Sequence, residues 1–234
     1  CDYEYIGDYL MGKSKDLATG ETRFVNTSGD TMTGDLTISS TAGQLKLTDT
    51  DGTEQNTTIK QSGGNVFIQA RDNTNNAGIV FAGNGGGNYN EHMRINASGI
   101  VTKPNQPAFD VAQPLQSSGD HTFGQIHLNR GSHYNSSNGR FTAPVAGVYI
   151  FFWGGIKGGN STTTARLYVK KNGSRLYSQR HLRLDGSTNQ YGENGSLQWI
   201  ANLAVNDYIQ AETGDGNSYT STGEYNVFSG YLIG

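Results

Sequence analysis

Gly139-Arg-Phe-Thr-Ala-Pro-Val-Ala-Gly-Val-Tyr-Ile-Phe-Phe-Trp153 is the stretch on which the reading of this chain turns. Its second half is apolar on both alternating faces. Val148, Ile150 and Phe152 fall on one, and Tyr149, Phe151 and Trp153 on the other. A strand apolar on both sides needs two covers. The end of the chain repeats the pattern, with Val227, Tyr231 and Ile233 on one face and Phe228 and Leu232 on the other. One face would fill a β-sandwich core and the second an interface between identical subunits. A single deep core covering both is the alternative. Trp199 joins Tyr149, Phe151, Trp153, Phe228, Tyr231 and Ile233 as the residues expected in core or subunit interface.

Composition agrees with an all-β chain. Of 234 residues only 34% are apolar and 16% charged, and 33 are Gly. Gly, Asn, Ser and Thr sit low on the helix scale and high in turns. With 13 Tyr and 9 Phe the chain is not the aromatic-poor kind that stays disordered. So little apolar material spread along an elongated chain points to burial between copies. A net charge of −3 with no basic block argues against a nucleic-acid partner. No apolar run approaches the roughly 18 residues of a membrane span, so membrane insertion is not expected. The one cysteine, Cys1, allows neither an intrachain disulfide nor a thiolate metal cluster. A chain that opens on Cys1 and not on Met reads as a segment or a processed form.

Working backward, Pro104 and Pro107 punctuate a linker, and a boundary is expected near residue 105. Between Ser28 and Lys103 short alternating runs recur: Asp35 to Ser39, Gln44 to Thr48, Asn65 to Gln69, Gly78 to Ala82, Met93 to Asn96 and Gly99 to Thr102. Turn residues such as Asp51-Gly52, Ser62-Gly63-Gly64 and Asn96-Ala-Ser-Gly99 separate them. None builds a core by itself, whereas three chains around one axis would pool these thin faces. Residues 28–104 thus read as a trimeric β shaft. Residues 1–27, where Tyr3, Tyr5 and Tyr9 alternate with polar residues, read as an attachment leader or as the start of the shaft.

Two strings in the shaft carry a resemblance. Ser28-Gly-Asp-Thr-Met-Thr-Gly-Asp-Leu-Thr-Ile38 resembles a segment that recurs in tail fibres of tailed bacteriophages, and His92-Met-Arg-Ile-Asn-Ala-Ser-Gly-Ile-Val101 resembles their closing hairpin. In residues 105–234, Tyr134-Asn135 followed by Gly139 to Phe151 resembles the globular head of complement component 1q, a relative of tumour necrosis factor. Ala108-Phe109, Leu167, Val169, Asn172-Gly173, Leu197, Asp207-Tyr208-Ile209 and Phe228 to Ile233 match in family order. Asn206 stands where that family usually has Gly, which should alter only a turn. The resemblances imply a ten-stranded jelly roll in a homotrimer, carried on a virion as a tail fibre.

Connections read from Phe141 onward alternate in length: Pro144–Gly147 is short, Lys157–Thr163 long, Asn172–Gly173 short, Asp185–Gly195 long, Ala204–Asp207 short and Gly214–Tyr225 long. In an antiparallel sandwich successive connections go to opposite ends, so the long ones share one end. Chain entry and exit lie at the other, which puts the long loops at the fibre tip. Asn160, Asp185, Asn189, Tyr191, Glu193, Asp215, Asn217, Tyr219 and Tyr225 are the expected receptor contacts. Tyr, Asn and Ser suit both protein surfaces and glycans. The function expected is host-surface recognition and adsorption, with a glycan or surface protein as partner and a tail or baseplate component held by residues 1–27. A head or baseplate decoration that merely trimerises is the alternative, and a capsule depolymerase a further one.

No catalytic residues, resident metal or cofactor are expected. His121, His127 and His133 recur every six residues, and a trimer would bring three copies of one to its axis, but no His-x-His pair is present. Asp185, Glu193, Asp215 and Glu224 offer oxygens for Ca2+ without an EF-hand pattern. Paired carboxylates for glycoside hydrolysis lack a long repeat array to hold a groove, and no nucleophile elbow or zinc-protease motif occurs.

Overall fold

The computed structural model describes residues 44–48, 56–72, 76–85, 88–113, 118–158, 164–177, 179–185, 191–215 and 225–234. The chain divides into two compact units between Ala77 and Gly78.

In the first unit β1 (Gln44–Thr48), β2 (Asn56–Ser62) and β3 (Asn65–Arg71) form an antiparallel meander. β2 and β3 are joined by Gly63-Gly64, whose φ angles of 56° and 80° suit a tight two-residue hairpin. The expected strands Gln44 to Thr48 and Asn65 to Gln69 are present. β2 was not read from the sequence, because Asn-Thr-Thr-Ile-Lys-Gln-Ser holds one large apolar residue. Among the described residues this sheet is a single layer. Leu45, Leu47, Ile59, Val66 and Ile68 are all exposed, Val66 to 71%. The strings at 28–38 and Asp51-Gly52, like the leader at 1–27, lie outside the described residues.

The second unit opens with a small sheet of β4 (Ile79–Gly85), β5 (Asn88–Ile95) and β6 (Val101–Thr102). The expected hairpin at 92–101 is its β5–β6 turn. Asn96 Oδ1 accepts from the Ser98 and Ile100 amides at 3.0 and 2.9 Å, and Gly99 takes a φ of 78°. The linker around residue 105 is an ordered junction inside this unit. Asn105 Nδ2 donates to the Glu91 carbonyl at 3.2 Å, and Gln106 Nε2 to the Leu232 carbonyl at 2.7 Å. Residues 78–104 therefore group with the sandwich and not with the first sheet.

The sandwich itself contains β7 (Ala108–Ala112), β8 (Gly119–Asp120), β9 (Gln125–Arg130), β10 (Tyr134–Asn135), β11 (Arg140–Thr142) and β12 (Gly147–Gly158). It continues with β13 (Ala165–Lys171), β14 (Ser174–Arg175), β15 (Leu182–Leu184), β16 (Tyr191–Leu203), β17 (Tyr208–Asp215) and β18 (Val227–Leu232). One sheet runs β16-β12-β18-β7-β9, and the other β10-β11-β17-β13-β14 with β15 on β13 and β8 on β17. β14 and β15 both pair with β13 and are two pieces of one interrupted strand. Each sheet thus has five principal positions, the architecture of a jelly roll, with the two-residue β8 added.

Between the sheets lies a core dense in aromatic rings. Phe109 stacks on Phe141 with centroids 4.9 Å apart and on Tyr134 at 5.3 Å, and meets Phe228 edge-on at 5.1 Å. Tyr149, Phe151, Trp153, Trp199 and Phe228 are fully buried here. Tyr231 and Ile233 are on the outer face of the five-stranded sheet, 47% and 48% exposed. Gly139, with φ of 69°, lies so close to the His121 carbonyl that a Cβ would overlap it, so glycine is required on both counts. The Tyr134 hydroxyl, which enters the core, accepts from the Phe123 amide at 3.0 Å. Burial pushes that hydroxyl up to about 12.

Candidate functional site

Strand register locates the long connections. Gly158 of β12 faces Tyr191 of β16, Arg166 of β13 faces Asp215 of β17, Ala165 faces Leu184, and Gly154 faces Val227 at the start of β18. The ends of β12, β15 and β17 and the starts of β13, β16 and β18 therefore share one end of the sandwich. At the opposite end the Leu232 amide donates to the Pro107 carbonyl at 3.1 Å, and the Val148 amide to the Gly234 carbonyl at 2.7 Å. The short turns Pro144–Gly147, Asn172–Gly173 and Ala204–Asp207 are there as well. Asn172 and Asn206 both adopt positive φ, 51° and 69°, so Asn206 makes the left-handed turn that Gly usually makes.

The sequence-predicted contacts separate into three groups. Asn160, Asn189, Asn217 and Tyr219, with Glu224, lie outside the described residues. Tyr191, Glu193 and Asp215 were expected in loops but belong to strands: β16 begins at Tyr191 and β17 runs to Asp215. Backbone pairing extends past a register shift between Ile156 and Gly158, and polar side chains do not prevent it. Asp185 and Tyr225 lie just outside strands at this end. Asp185 accepts from Arg183 Nε at 2.7 Å and Thr164 Oγ1 at 3.1 Å, and the Arg183 bond, then the Thr164 bond, hold its carboxyl below the ordinary value. Tyr225 is 39% exposed.

Beneath these ends lie buried polar groups, of which the sequence reading singled out only His121. Asn226 is fully buried; its Oδ1 accepts from the Ile156 amide at 3.1 Å and its carbonyl from the Gln113 amide at 3.2 Å. Gly155 leaves room for it, since a Cβ there would come within 2.5 Å of that oxygen. Lys157 is fully buried too. The signal for it was available: Tyr149, Phe151, Trp153, Gly155 and Lys157 continue one period of two. His121 bonds Thr213 Oγ1 through Nε2 at 2.7 Å and meets the Trp153 ring edge-on at 5.4 Å. Burial lowers it to about 4, with Asp120 pulling the other way. His127 is exposed on β9 and His133 sits half-buried near the opposite end, so the three histidines do not converge within one chain. Among the described residues no three His, Cys, Asp or Glu side chains gather to hold a metal.

The two outer faces differ. On the five-stranded sheet Ile200, Ile150, Tyr231 and Ala108 form one cross-strand row, flanked by Val148 and Val227. Ile200, Val227 and Val148 are 50%, 42% and 38% exposed. On the other sheet Arg140, Gln210, Lys170 and Arg175 form a row. Arg140 stacks on Tyr208 at 4.1 Å, Lys170 pairs with Asp120 at 2.6 Å, and Arg175 both covers Tyr168 at 3.7 Å and bonds Glu212 at 2.8 Å.

Fold, register and faces define an all-β jelly-roll module with one apolar outer sheet and its long connections at one end. The chain belongs to the C1q domain family, whose model matches residues 108–233, more than half of the sequence. It is 25% identical over 111 residues to human complement C1q tumor necrosis factor-related protein 3, a match covering 47% of this chain and 43% of that protein. It is 27% identical over 111 residues to zebrafish Caprin-2, covering 47% of this chain and 12% of that one. The chain thus spans less than half the length of these relatives. Among solved structures, the globular domain of zebrafish complement 1qA is 22% identical with a TM-score of 0.43, covering 55% of this chain and 98% of that chain. Murine APRIL is 15% identical with a TM-score of 0.43, covering 54% and 98%.

Proposed function

We propose that three copies of this chain form a bacteriophage tail fibre whose jelly-roll tip recognises the host surface through its long-connection end. The observation that carries the recognition reading is the gathering of six strand ends at one end of the sandwich, with chain entry and exit at the other. Connections so gathered, on a rigid scaffold, form a surface free to vary without disturbing the core.

Trimerisation is supported by the exposed apolar row on the five-stranded sheet and by the β1–β3 sheet, whose apolar residues are exposed. A second and third copy are the occupants that make both regions buried at once. The virion setting rests on the two phage-like strings, the second of which folds as a hairpin. A surface glycan or protein is the ligand class, since Tyr, Asn and Ser populate the connections.

The soluble chain, added in excess to host cells before phage, should reduce adsorption in proportion to its occupancy. Cells coated to saturation yet adsorbing phage at the normal rate would instead assign the jelly roll to assembly. Progressive shortening of purified capsule by the protein would assign it to depolymerisation.

A further inference from the structure

A cleft of about 350 Å³ lies between the β4–β6 sheet and the short-turn end of the sandwich. Pro107, Val145 and Leu232 give it apolar walls. Three basic side chains also line it, His92 from β5, Lys103 from the connector and His133 from the turn before β10, together with the amides of Asn105 and Gln106. No carboxylate is among the lining residues.

Local backbone devices aim the two imidazoles. In the β4–β5 ladder Phe81 pairs with Met93 and Ala82 with Glu91, which leaves His92 as the extra residue of a β-bulge. Bulges of this kind redirect a side chain at the cost of a ladder position. The ring lies over Gly83, where a Cβ would stand 2.7 Å from Nε2. His133 follows Gly131 and Ser132, both in the left-handed region at φ 78° and 58°. A serine is held there only when its surroundings over-determine it. A Cβ on Gly131 would overlap the His133 imidazole, and the His133 carbonyl is fixed by the Thr142 amide at 2.9 Å. Glu91, the acid adjacent to His92, is already held by Arg94 through Nε at 3.0 Å and Nη2 at 2.6 Å.

We propose that this cleft binds a small organic carboxylate, its apolar flank against Pro107, Val145 and Leu232 and its oxygens taken by Lys103, His92 and His133. The proposal is independent of the recognition surface at the far end. The charged and titratable groups facing the cleft or bordering it are Lys103, His92, His133, Arg130, whose Nη1 donates to the Lys103 carbonyl at 3.5 Å, and the Glu91–Arg94 pair. Among these side-chain types imidazole is the one whose charge changes near neutral pH. Burial holds His133 below its ordinary value, so it carries its proton most readily when an anion faces it. Binding should therefore tighten as the pH falls from about 8 to about 6.

Saturation-transfer NMR on the full chain tests this, with benzoate as probe and benzamide as its neutral isostere. Benzoate should bind at pH about 6, more weakly at about 8, and about tenfold more weakly in Lys103→Met. Lys103 is exposed, so that variant keeps its fold. His133→Gln should remove part of the pH dependence. Equal binding of benzamide, no benzoate signal at tens of millimolar, or benzoate binding unchanged in both variants would each overturn the proposal.

Discussion

The five-stranded sheet and its partner enclose the same aromatic core yet offer solvent opposite chemistry. One presents Ile200, Tyr231, Val148 and Val227, between 38% and 50% exposed. The other has a row of cations, each stacked on a ring or paired with a carboxylate. Register shifts occur in both sheets, so the difference is one of outward residues. A polar outer face finishes a sandwich as a monomer, whereas an apolar one leaves it unfinished. The contrast is what the proposed trimer rests on, and it can be broken experimentally.

The largest effect should come from placing charge on the apolar face. In Tyr231→Asp or Ile200→Asp the side chain is open in the single chain, so the sandwich should fold. In an assembly each copy would bury an unpaired carboxylate, a loss on the order of 4 kcal/mol, or roughly a thousandfold in the association constant. Sedimentation should show monomers at concentrations where the parent chain is trimeric. Arg175→Ala, on the opposite face, should leave the mass unchanged. Wild-type mass in both aspartate variants would show that this face is not the subunit interface.

Much of this contrast was legible in the sequence, because period-two alternation in Val148 to Trp153 and in Val227 to Ile233 sorts side chains by face without any tertiary information. It could not say which face is inward; the register with Trp199 and Phe109 decides that. The long and short connections were equally readable, since a chain reverses at Asn172-Gly173 whatever surrounds it. Strand ends were not. Tyr191 and Asp215 are polar or bounded by Gly, and only cross-strand pairing draws them into β16 and β17. The burial of His121 was hidden for another reason: it depends on residues far away in sequence, Thr213 and Trp153.

The core between the two faces supplies the next effect. His121 stays neutral in the folded chain down to about 4, against an ordinary 6.5. The unfolded state therefore binds more protons between those values. Stability is complete above the ordinary histidine value and declines as pH falls through it toward about 4, by on the order of 3 kcal/mol. Asp207 acts separately. Its carboxyl is held at about 2 by hydrogen bonds from Lys171, then Asn172, then the Ala204 amide, so its contribution persists above the ordinary carboxylate value and is lost only below it. Thermal melts from pH 7 to pH 4 should show a decline that His121→Gln flattens. An identical decline in that variant would place the acid sensitivity elsewhere.

The smallest effect tests the polar face. Arg175 covers the Tyr168 ring and bonds Glu212, with its side chain 37% exposed. Exposed ion pairs contribute about 0.2–1 kcal/mol and a guanidinium over a ring about 0.5–1. Arg175→Ala should therefore lower stability by about 1 kcal/mol, and by less in high salt, since the pair is screened and the stack is screened less. Arg175→Lys should recover the ion pair but lose the flat stacking of the guanidinium. Its stability should fall between the parent and Arg175→Ala. If the lysine variant matches the alanine one in urea melts, the stack on Tyr168 and not the bond to Glu212 holds this face in order. The contrast between the two sheets would then be one of packing as much as of charge.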